Sequence, residues 1–385
     1  MQRITGTRQH YPWGSTDGIP RVLGEEPTRT PLAEYWFGAH PKAPATLTGG
    51  MTLDAHLSQN PDQLGDSGRA EYGDVLPFLL KLLSARTALS IQAHPSRQQA
   101  EAGFARENAA GLATDAPNRN YRDDWPKPEA VVALTEFDAL CGFRDPTRTQ
   151  HLFAELGVDA TELIVQPLTD GDGIARVFLG ILDLGAEAAD LIDHVVAAAK
   201  DRLDAGIEPG EFANFCDTAI TTADDFPGDP GVLAALLLNR VRLNPGEGLA
   251  LEAGNVHAYL RGTAIEIMSN SDNVLRGGLT TKHIDIDELA RVVDFRHQDV
   301  DVVTWQPAGA GVWRFPAPFG EFALWRVSET ALPAEPSPRI AVSLGEAALV
   351  SPDGPLTLGP GQAAFLSAGE PVTVRGEVIV ASHGL

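Results

Sequence analysis

Four side chains in three short segments of the sequence are of types that bind metal ions. They are Gln92 and His94 in LSIQAHP (89–95), Glu129 in WPKPEA and His257 in AGNVHAY. Imidazole nitrogens and carboxylate oxygens are ordinary zinc ligands at roughly 2.0–2.2 Å, and an amide oxygen can complete a four-coordinate site. The segments lie far apart along the chain, so other interpretations stay open: a capped strand end, a surface ion pair with Lys127, and a histidine bonded to the backbone.

A second segment, SNSDNVLRGGLTTKH (269–283), carries two cations close to a pair of glycines. Arg276 is followed by Gly277 and Gly278, which permit backbone bends or close approach to a ligand, and then by Lys282. The planar guanidinium and the compact ammonium group suit recognition of a phosphate by a fork and a point charge. The alternative is a solvated turn.

Residues 89–95 have the pattern of an extended segment with two unlike faces. Polar and apolar residues alternate in LSIQAHP, and successive side chains of an extended chain point to opposite sides. The face that carries Gln92 and His94 is therefore either exposed to solvent or part of a pocket wall.

The pattern of the chain changes twice along its length. Residues 1–145 read as short extended segments with turn signals, plus a helical patch near SRQQAEAGFARENAAG. From 146 to 240, the segments HLFAELGV, AEAADLIDHVVAAAKDRLDAGI and PGVLAALLLNRVRL have apolar residues at spacings of three and four, which favours helices. After 241, short alternating runs broken by Gly and Pro predict a β-sandwich or barrel.

An internal repeat predicts two copies of one β unit in the second half of the chain. Residues 243–260 align without gaps on residues 358–375, and both read as a PG turn, a strand, an AG turn and a second strand. Chance similarity between two turn-rich stretches is the alternative. Val372 stands where the first copy has His257, so we expect only the first copy to be chemically active.

Composition and charge argue against several classes of function. The formal net charge of −23 repels nucleic acid phosphates and anionic lipids, although it also fits a solubility or salt adaptation. The two cysteines, Cys141 and Cys216, are too far apart for a disulfide framework or a CxxC zinc site. The sequence shows no membrane span, signal peptide, GxxxxGK, GxGxxG or GxSxG motif, so we expect a cytoplasmic protein.

The segments, taken in order, resemble the type I mannose-6-phosphate isomerase (phosphomannose isomerase) family, which is zinc-dependent and belongs to the cupin superfamily. The matching segments are YPWGS (11–15), AEYWFGAHPKAPA (33–45), LPFLLKLLSA (76–85), LSIQAHP (89–95), NYRDDWPKPE (120–129), FDALCGFR (137–144), GNVHAYLRG (254–262) and EIMSNSDNVLRGGLTTKHID (266–285). Beyond residue 300 and between residues 146 and 240, the chain matches the family in general sequence character more than in specific motifs. Thr281 departs from the family pattern, because many members have Pro in the run before Lys282.

The resemblance implies a mainly β fold with a helical insertion and two cupin-type β-sandwich (jelly-roll) domains. The catalytic cupin would comprise residues 1–145 and 241–300, the helical domain residues 146–240, and a degenerate C-terminal cupin-like domain residues 301–385. One zinc ion per subunit would be held by Gln92, His94, Glu129 and His257. The implied catalytic residues are Arg276, Glu266 and Lys127, and the implied substrate-binding residues are Lys81, Ser90, Lys282, Tyr259 and Trp13.

The activity that the resemblance implies is aldose–ketose isomerisation of mannose 6-phosphate and fructose 6-phosphate through an enediol-type proton transfer. Such an enzyme supplies mannose for activated-sugar (GDP-mannose) and glycan synthesis or serves mannose catabolism. We expect Glu266 to be the base, because it alternates with Ile265 and Ile267 and can face the cavity. We expect Arg276 to stabilise charge and Lys127 to shuttle a proton.

The phosphate of the substrate is expected to contact Lys282, Lys81 and Ser90, which would give local positive charge inside an acidic protein. The expected partner is thus a small sugar phosphate, with neither nucleic acid nor membrane. We expect a monomer, and an oligomer stays open.

Two other cupin functions compete with the isomerase. A metal-dependent oxygenase would hold Fe(II) with His94, Glu129 and His257 as a two-His, one-carboxylate triad. A non-catalytic sugar-binding or regulatory cupin would carry a relictual site. Gln92 as a fourth ligand and the nearby cations argue against the oxygenase, and the four intact ligands argue against the relictual site.

Overall fold

The computed structural model describes residues 1–384 as a mainly β protein with a central run of helices. The strands are β1 (Gln2–Thr5), β2 (Thr7–Gln9), β3 (Glu34–Gly38), β4 (Thr46–Leu47), β5 (Phe78–Ala85), β6 (Gln92–Ala93), β7 (Glu129–Ala133), β8 (Phe137–Phe143), β9 (Leu238–Leu243), β10 (Glu247–Leu251), β11 (His257–Ser269), β12 (Leu275–Arg276), β13 (Val303–Thr304), β14 (Gln306–Gly309), β15 (Val312–Arg314), β16 (Ala323–Ser328), β17 (Ala331–Leu332), β18 (Arg339–Ser351), β19 (Gly354–Leu358), β20 (Ala363–Leu366) and β21 (Val372–Ser382).

The α-helices are α1 (Gly18–Val22), α2 (Leu53–Gln59), α3 (Asp66–Tyr72), α4 (Arg97–Ala109), α5 (Pro146–Leu156), α6 (Asp159–Val165), α7 (Gly173–Asp183), α8 (Ala189–Asp204), α9 (Glu211–Asp225), α10 (Gly231–Ala235) and α11 (Ile286–Val292). Short 3-10 helices occupy Pro61–Leu64, Gln166–Thr169 and Gly185–Ala188. The helical patch predicted near residue 100 is confirmed as α4. A capping box starts this helix, since the Ser96 hydroxyl accepts from the Gln99 amide and the Gln99 side chain accepts from the Ser96 amide.

The first sheet contains eleven strands and depends on the long strand β11. Its main path runs β13-β10-β7-β11-β5-β3-β2, while the first half of β11 pairs instead with β6 and β8. The two halves of β11 meet at Gly262, where φ is 120° and an added Cβ would lie 2.5 Å from the Glu136 carbonyl oxygen. Glycine at this point allows one strand to serve two groups of paired strands.

The second sheet contains ten strands from both ends of the chain. Its order is β14-β15-β16-β21-β18-β20-β1-β4, with β17 beside β21 and β19 beside β18. Ile4 of β1 pairs with Ala363 on one side and with Leu47 on the other. The first residues of the chain therefore complete the C-terminal sheet.

A buried apolar layer joins the two sheets. The first sheet contributes Phe37, Leu80, Leu82, Ile265 and Ile267, and the second contributes Leu324, Ile340, Val342, Phe365 and Ile379. Side chains alternate along β5 and β11, so Lys81 and Glu266 point away from this layer. The polar face of the first sheet is thus free to line an interior site.

The repeat found in the sequence has a matching structure in both copies. Strand β11 begins at His257 and β21 begins at Val372, which are the two positions that the alignment equates. In each copy a short strand, β10 or β20, precedes the long one. The predicted class, mainly β with a helical insertion and two β-sandwich units, is confirmed.

Helices α5 to α10 surround a separate apolar core that includes Phe153, Phe178 and Phe215. Ile91 and Ala93 belong to the same core, so these two apolar residues of LSIQAHP pack against the helices, whereas Leu89 packs against a core of the first sheet. Only Gln92–Ala93 of this segment forms a paired strand, although the alternation of its side chains is as predicted.

Two secondary-structure predictions are wrong. The segment 230–243 is not helical throughout, because α10 ends at Ala235 and β9 follows. Val241 and Leu243 of β9 are buried while Arg242 is exposed, an alternation that pairing with β8 selects over helical propensity. The first 145 residues also contain helices α2 and α3 where extended segments were expected.

No helix among residues 1–384 combines the length and the apolar character that crossing a bilayer requires.

Candidate metal centre and active site

Three of the four predicted metal ligands converge inside the first β unit. His94, Glu129 and His257 are buried, and one ligand atom of each lies within 4.8 Å of the others. Nε2 of His94 lies 3.4 Å from Glu129 Oε2, and Nε2 of His257 lies 3.3 Å from the same oxygen. The three residues follow β6, begin β7 and begin β11, respectively, so strand pairing brings together positions distant in sequence.

Backbone carbonyls hold the outer nitrogens of both imidazoles. His94 Nδ1 lies 2.9 Å from the Asn273 carbonyl oxygen, and His257 Nδ1 lies 3.2 Å from that of Asn255. Donation from Nδ1 leaves each Nε2 with a lone pair, the arrangement that orients histidine ligands at metal sites. His94 Nε2 is buried without a hydrogen-bond partner in residues 1–384, so a cation fits the space between the three side chains.

The charges around the three ligands suit metal binding. Burial, reinforced by Lys127, lowers the pKa of His94 to about 4. Burial alone would raise the pKa of Glu129, but neighbouring groups, Lys127 foremost, hold it well below its usual value. The imidazole of His94 is therefore neutral and the carboxylate ionised, which are the protonation states that bind metal.

Gln92 lies beside these ligands in a row that crosses four neighbouring strands. His257 pairs with Cys141 on one side and with Gln92 on the other, and Gln92 in turn pairs with Arg276. Directly opposite residues of antiparallel strands present their side chains on the same face. The row therefore places the amide of Gln92 between the His257 imidazole and the Arg276 guanidinium.

Lys127 contacts the metal centre through the second oxygen of Glu129. Its Nζ lies 3.0 Å from Glu129 Oε1, whereas both histidines approach Oε2. The lysine side chain is largely buried. The Glu129 carboxylate therefore lies between Lys127 and the position that a metal ion at Oε2 would occupy.

A buried charged cluster of Lys81, Glu266 and Glu34 lies on the inner face of the first sheet. Lys81 Nζ is 2.8 Å from Glu266 Oε2 and 3.4 Å from Glu34 Oε1. Burial raises the pKa of Glu266; Lys81 opposes this rise, and Glu129 and Glu34 add to it. A carboxyl group with a raised pKa is suited to exchange protons near neutral pH.

Two aromatic residues adjoin this charged cluster. Trp36 Nε1 donates to Glu34 Oε2 at 2.9 Å, and its ring lies 5.1 Å from Lys81 Nζ. The Tyr259 hydroxyl is buried and has no partner in residues 1–384, and burial raises the pKa of Tyr259 well above 10. Tyr259 thus offers a neutral hydroxyl to this part of the cavity.

Lys81 is placed with Glu266 instead of with the other predicted phosphate ligands. Burial would lower the pKa of Lys81, but Glu266 and Glu34 outweigh it and raise that pKa. The ammonium group is already shared between two carboxylates. Its geometry favours orientation of Glu266 over direct contact with a phosphate.

Three cations form a basic patch, defined here as Arg122, Arg276 and Lys282. None of them forms an ion pair within residues 1–384. Burial lowers the pKa of Arg276, and the charge of Arg122 lowers it further. Burial also lowers the pKa of Lys282, with Arg276 and Arg122 adding to the effect. Like charges without counterions are unfavourable, so an anion would stabilise this patch.

Ser90 and Trp13 are the remaining predicted substrate-binding residues. Both are half-buried, and Ser90 precedes Gln92 by two positions in the same extended segment. The Trp13 ring stacks on Tyr11 with the ring centroids 5.8 Å apart.

A set of hydrogen bonds around Asn273 and Asp123, called here the Asn273–Asp123 clasp, joins the segments that carry these residues. The Asn273 amide oxygen accepts from the backbone of Arg122 at 2.7 Å, and its nitrogen donates to the backbone oxygens of Asp123 and Trp125 at 2.8 Å. The Asp123 carboxylate accepts from the Ser271 hydroxyl at 2.7 Å. Since the Asn273 carbonyl also accepts from His94, the clasp fixes the basic patch relative to the metal ligands.

Sequence reasoning missed Glu34, Arg122, Asp123 and Asn273 as parts of the site. All four lie within the quoted segments AEYWFGAHPKAPA, NYRDDWPKPE and EIMSNSDNVLRGGLTTKHID. Their position in those motifs was the available signal. Their partners are backbone groups or buried charges, which only the fold brings together.

Comparison with known proteins gives a consistent result along the chain. Residues 1–146 match the family described as phosphomannose isomerase type I, catalytic domain. The chain is 37% identical over 391 residues to mannose-6-phosphate isomerase of Escherichia coli (strain K12), covering 98% of this chain and 97% of that protein. It is 33% identical over 315 residues to mannose-6-phosphate isomerase of Rattus norvegicus, covering 74% and 71%.

Solved structures agree with the sequence comparison. Crystal structures of phosphomannose isomerase variants from Salmonella typhimurium superpose with a TM-score of 0.88 at 34% identity, covering all of both chains. A zinc-bound mannose 6-phosphate isomerase has a TM-score of 0.87 at 33% identity, covering 100% of this chain and 99% of that one.

Proposed function

The chain belongs to the mannose-6-phosphate isomerase family, and from that premise we propose that it binds one zinc ion and interconverts mannose 6-phosphate and fructose 6-phosphate. The observation that carries the proposal is the buried set of His94, Glu129 and His257, with the amide of Gln92 paired beside it. Two imidazoles, a carboxylate and an amide form a donor set that zinc accepts. A zinc-bound relative of the same fold supports this choice of metal.

A bound zinc ion supplies Lewis acidity that stabilises negative charge developing on the sugar oxygens. The residues around it hold the substrate and move the proton. We propose that Glu266 takes the proton from C2 of the aldose and returns it to C1 through an enediol-type intermediate, while a second proton passes from the C2 hydroxyl to the carbonyl oxygen on C1. Its raised pKa and burial beside Lys81 support the role of base and acid in turn.

Lys81 is proposed as the residue that orients Glu266 and balances its charge. The distance of 2.8 Å between Lys81 Nζ and Glu266 Oε2 allows a charge-assisted hydrogen bond. Tyr259, whose buried hydroxyl is unpartnered in residues 1–384, is proposed to donate to a sugar oxygen. Lys127, 3.0 Å from Glu129, is proposed to shuttle a proton at the opposite side of the centre.

The basic patch is proposed to bind the phosphate group and to keep it close to the metal centre. Lys282 and Arg122 provide charge at the mouth, and the half-buried Ser90 adds a hydroxyl. Arg276 is paired with Gln92, so its guanidinium is proposed to reach toward the reacting oxygens as well. Trp13 is proposed to border the sugar through its ring.

The cellular setting follows from the same proposal. The product would supply mannose for GDP-mannose and glycan synthesis, or the reverse reaction would serve mannose catabolism. We propose a cytoplasmic monomer, which size-exclusion chromatography with light scattering can check.

The test is removal and return of the metal. We expect treatment with a chelator to abolish conversion of mannose 6-phosphate, followed in a coupled assay, and one equivalent of zinc per chain to restore it. An oxygen electrode with Fe(II)-loaded protein provides the control for the oxygenase alternative. Full activity in metal-free protein would contradict the proposal, as would oxygen consumption without isomerisation.

A further inference from the structure

The turn that connects Arg276 to Lys282 is docked on the helical part of the molecule. Asp229 lies between α9 and α10. Its carboxylate accepts hydrogen bonds from three backbone amides. Oδ1 accepts from Gly231 at 2.7 Å and from Leu279 at 3.0 Å, and Oδ2 accepts from Thr280 at 2.9 Å. Two of these amides belong to the turn between the two cations.

The docked turn has an unusual backbone that close packing maintains. Leu279 has a φ of 52°, a left-handed value that L residues other than glycine rarely adopt, and its side chain is buried. Gly278 approaches Gly231 so closely that an added Cβ would lie 2.4 Å from the Gly231 Cα. Such strained backbone persists only where the surroundings hold it, and it is concentrated at functional sites.

The other side of the turn is fixed to the metal-binding segment. The Ile91 amide donates to the Gly278 carbonyl at 3.0 Å, and the Gly277 amide donates to the Ile91 carbonyl at 2.8 Å. Ile91 lies between Ser90 and Gln92 in the sequence. The turn is therefore held between the metal centre and the helices, with one cation at each end.

We propose that Asp229 is a positioning residue for anion recognition, which sets the turn so that Arg276 and Lys282 face one phosphate group. This inference rests on the proposed function, because that function makes the basic patch the phosphate site. Asp229 does not meet the substrate itself, since backbone amides occupy its carboxylate. The helical segment thereby contributes to substrate binding through a contact outside the cupin strands.

The experiment compares Asp229→Ala and Asp229→Asn with the unaltered zinc-loaded chain. We expect the alanine variant to raise KM for mannose 6-phosphate and the dissociation constant of inorganic phosphate, measured by phosphorus NMR titration, by about 10- to 100-fold. The asparagine variant keeps one acceptor oxygen, so its increase should be smaller. We expect kcat to change less than about threefold and the zinc content to stay at one per chain.

Two further variants, a matched control and a second change to the docked turn, test the role of Asp229 if the alanine variant folds poorly. Asp225 is another carboxylate on a helix, and it accepts a hydrogen bond from the backbone amide of Ala88 at 2.8 Å. It does not contact the turn. Asp225→Asn should leave phosphate binding within about twofold of normal. Gly278→Ala disturbs the same docking without a charge change and should weaken phosphate binding as Asp229→Ala does.

Two results would overturn the positioning role of Asp229. One is normal phosphate binding in folded Asp229→Asn and Gly278→Ala proteins. The other is a loss of kcat and zinc with phosphate binding preserved, which would indicate a purely structural contact. If the unaltered chain binds phosphate but turns over no sugar, the proposed function fails while phosphate titration still tests Asp229.

Discussion

Glu266 and Glu129 are buried carboxylates of the same β unit whose surroundings shift their pKa values in opposite directions. Burial would raise the pKa of Glu129, but neighbouring groups, Lys127 foremost, lower it and stabilise the ionised form. Burial raises the pKa of Glu266, and the nearby carboxylates Glu129 and Glu34 add to the rise against the effect of Lys81. Environments that separate the pKa values of two acids commonly mark their roles, here the proposed metal ligand Glu129 and the proposed proton-transfer group Glu266.

Replacement of Glu266 by Gln removes the proposed proton-transfer group and keeps the side-chain shape. We expect kcat to fall by roughly 10²- to 10⁴-fold with zinc still bound, because general acid–base groups contribute rate factors of that size. Steady-state kinetics and metal analysis measure both quantities. Glu288→Gln, a buried carboxylate on α11, is the control and should keep kcat near normal. Near-normal turnover in zinc-loaded Glu266→Gln would show that another group is the base.

At the residue scale, sequence reasoning could identify ligands whose type itself carries chemistry. His94, Glu129 and His257 stand in short motifs and are typical metal ligands, and the fold brings them together. Residues whose role depends on backbone partners carry no such signal. Asn273 and Asp229 act through carbonyls and amides of distant segments, which a single sequence does not reveal.

Among the elements of the fold, the loops after β6, before β7 and before β12 depend on one another through the Asn273–Asp123 clasp. The Asn273 amide nitrogen faces three oxygens, the Asp123 and Trp125 carbonyls and Asp123 Oδ1. The Asn273 side chain is fully buried, and buried polar groups that lose their partners are costly, at about 1–3 kcal/mol each.

Asn273→Asp tests the clasp with almost no change of shape. A carboxylate oxygen would replace the donor and face three acceptors, so the loops should separate. We expect zinc affinity to fall about 10- to 100-fold, the range typical of supporting contacts around metal ligands, as measured by competition with a chelator. Asn118→Asp, an exposed residue in the same region, makes the same charge change and should bind zinc normally. Unchanged zinc affinity in Asn273→Asp would exclude a supporting role for the clasp.

Periodicity located elements where local pattern and tertiary pairing agree. The helical patch that forms α4 and the turn–strand repeat of β10–β11 and β20–β21 were readable from sequence. The strand β9 was not, because LLLNRVRL has helical propensity and only pairing with β8 makes it extended. Short helices such as α2 escaped notice since one turn of buried leucines gives a weak signal.

For the molecule as a whole, the two β units are structurally interdependent. Strands β1 and β4 lie in the second sheet, and one buried apolar layer packs between the two sheets and joins them. The chain has a net charge of −23, yet the cations of the basic patch form no ion pair within residues 1–384. Attraction of an anionic sugar is therefore a property of this patch and not of the whole molecule. The net charge predicts repulsion of nucleic acid phosphates but does not locate the patch.

A fragment of residues 1–300 tests this interdependence. It would lose β20, one of the two partners of β1, and expose the apolar face that contains Leu80 and Ile267. We expect the fragment to show no cooperative unfolding transition. We also expect it to aggregate at micromolar concentration, because exposed apolar layers of this kind associate. Circular dichroism and light scattering provide the measurement, with the full chain as control. A soluble, fully active fragment would show that the first unit is independent.

We propose that Gln92, His94, Glu129 and His257 share one metal ion. Zinc titration of metal-free protein by calorimetry tests it most directly, with His257→Val as the comparison because Val372 occupies the equivalent position in the second β unit. We expect one tight zinc site per chain in the unaltered protein and loss of that site in His257→Val. A full equivalent of zinc bound with unchanged affinity in the variant would contradict this proposal.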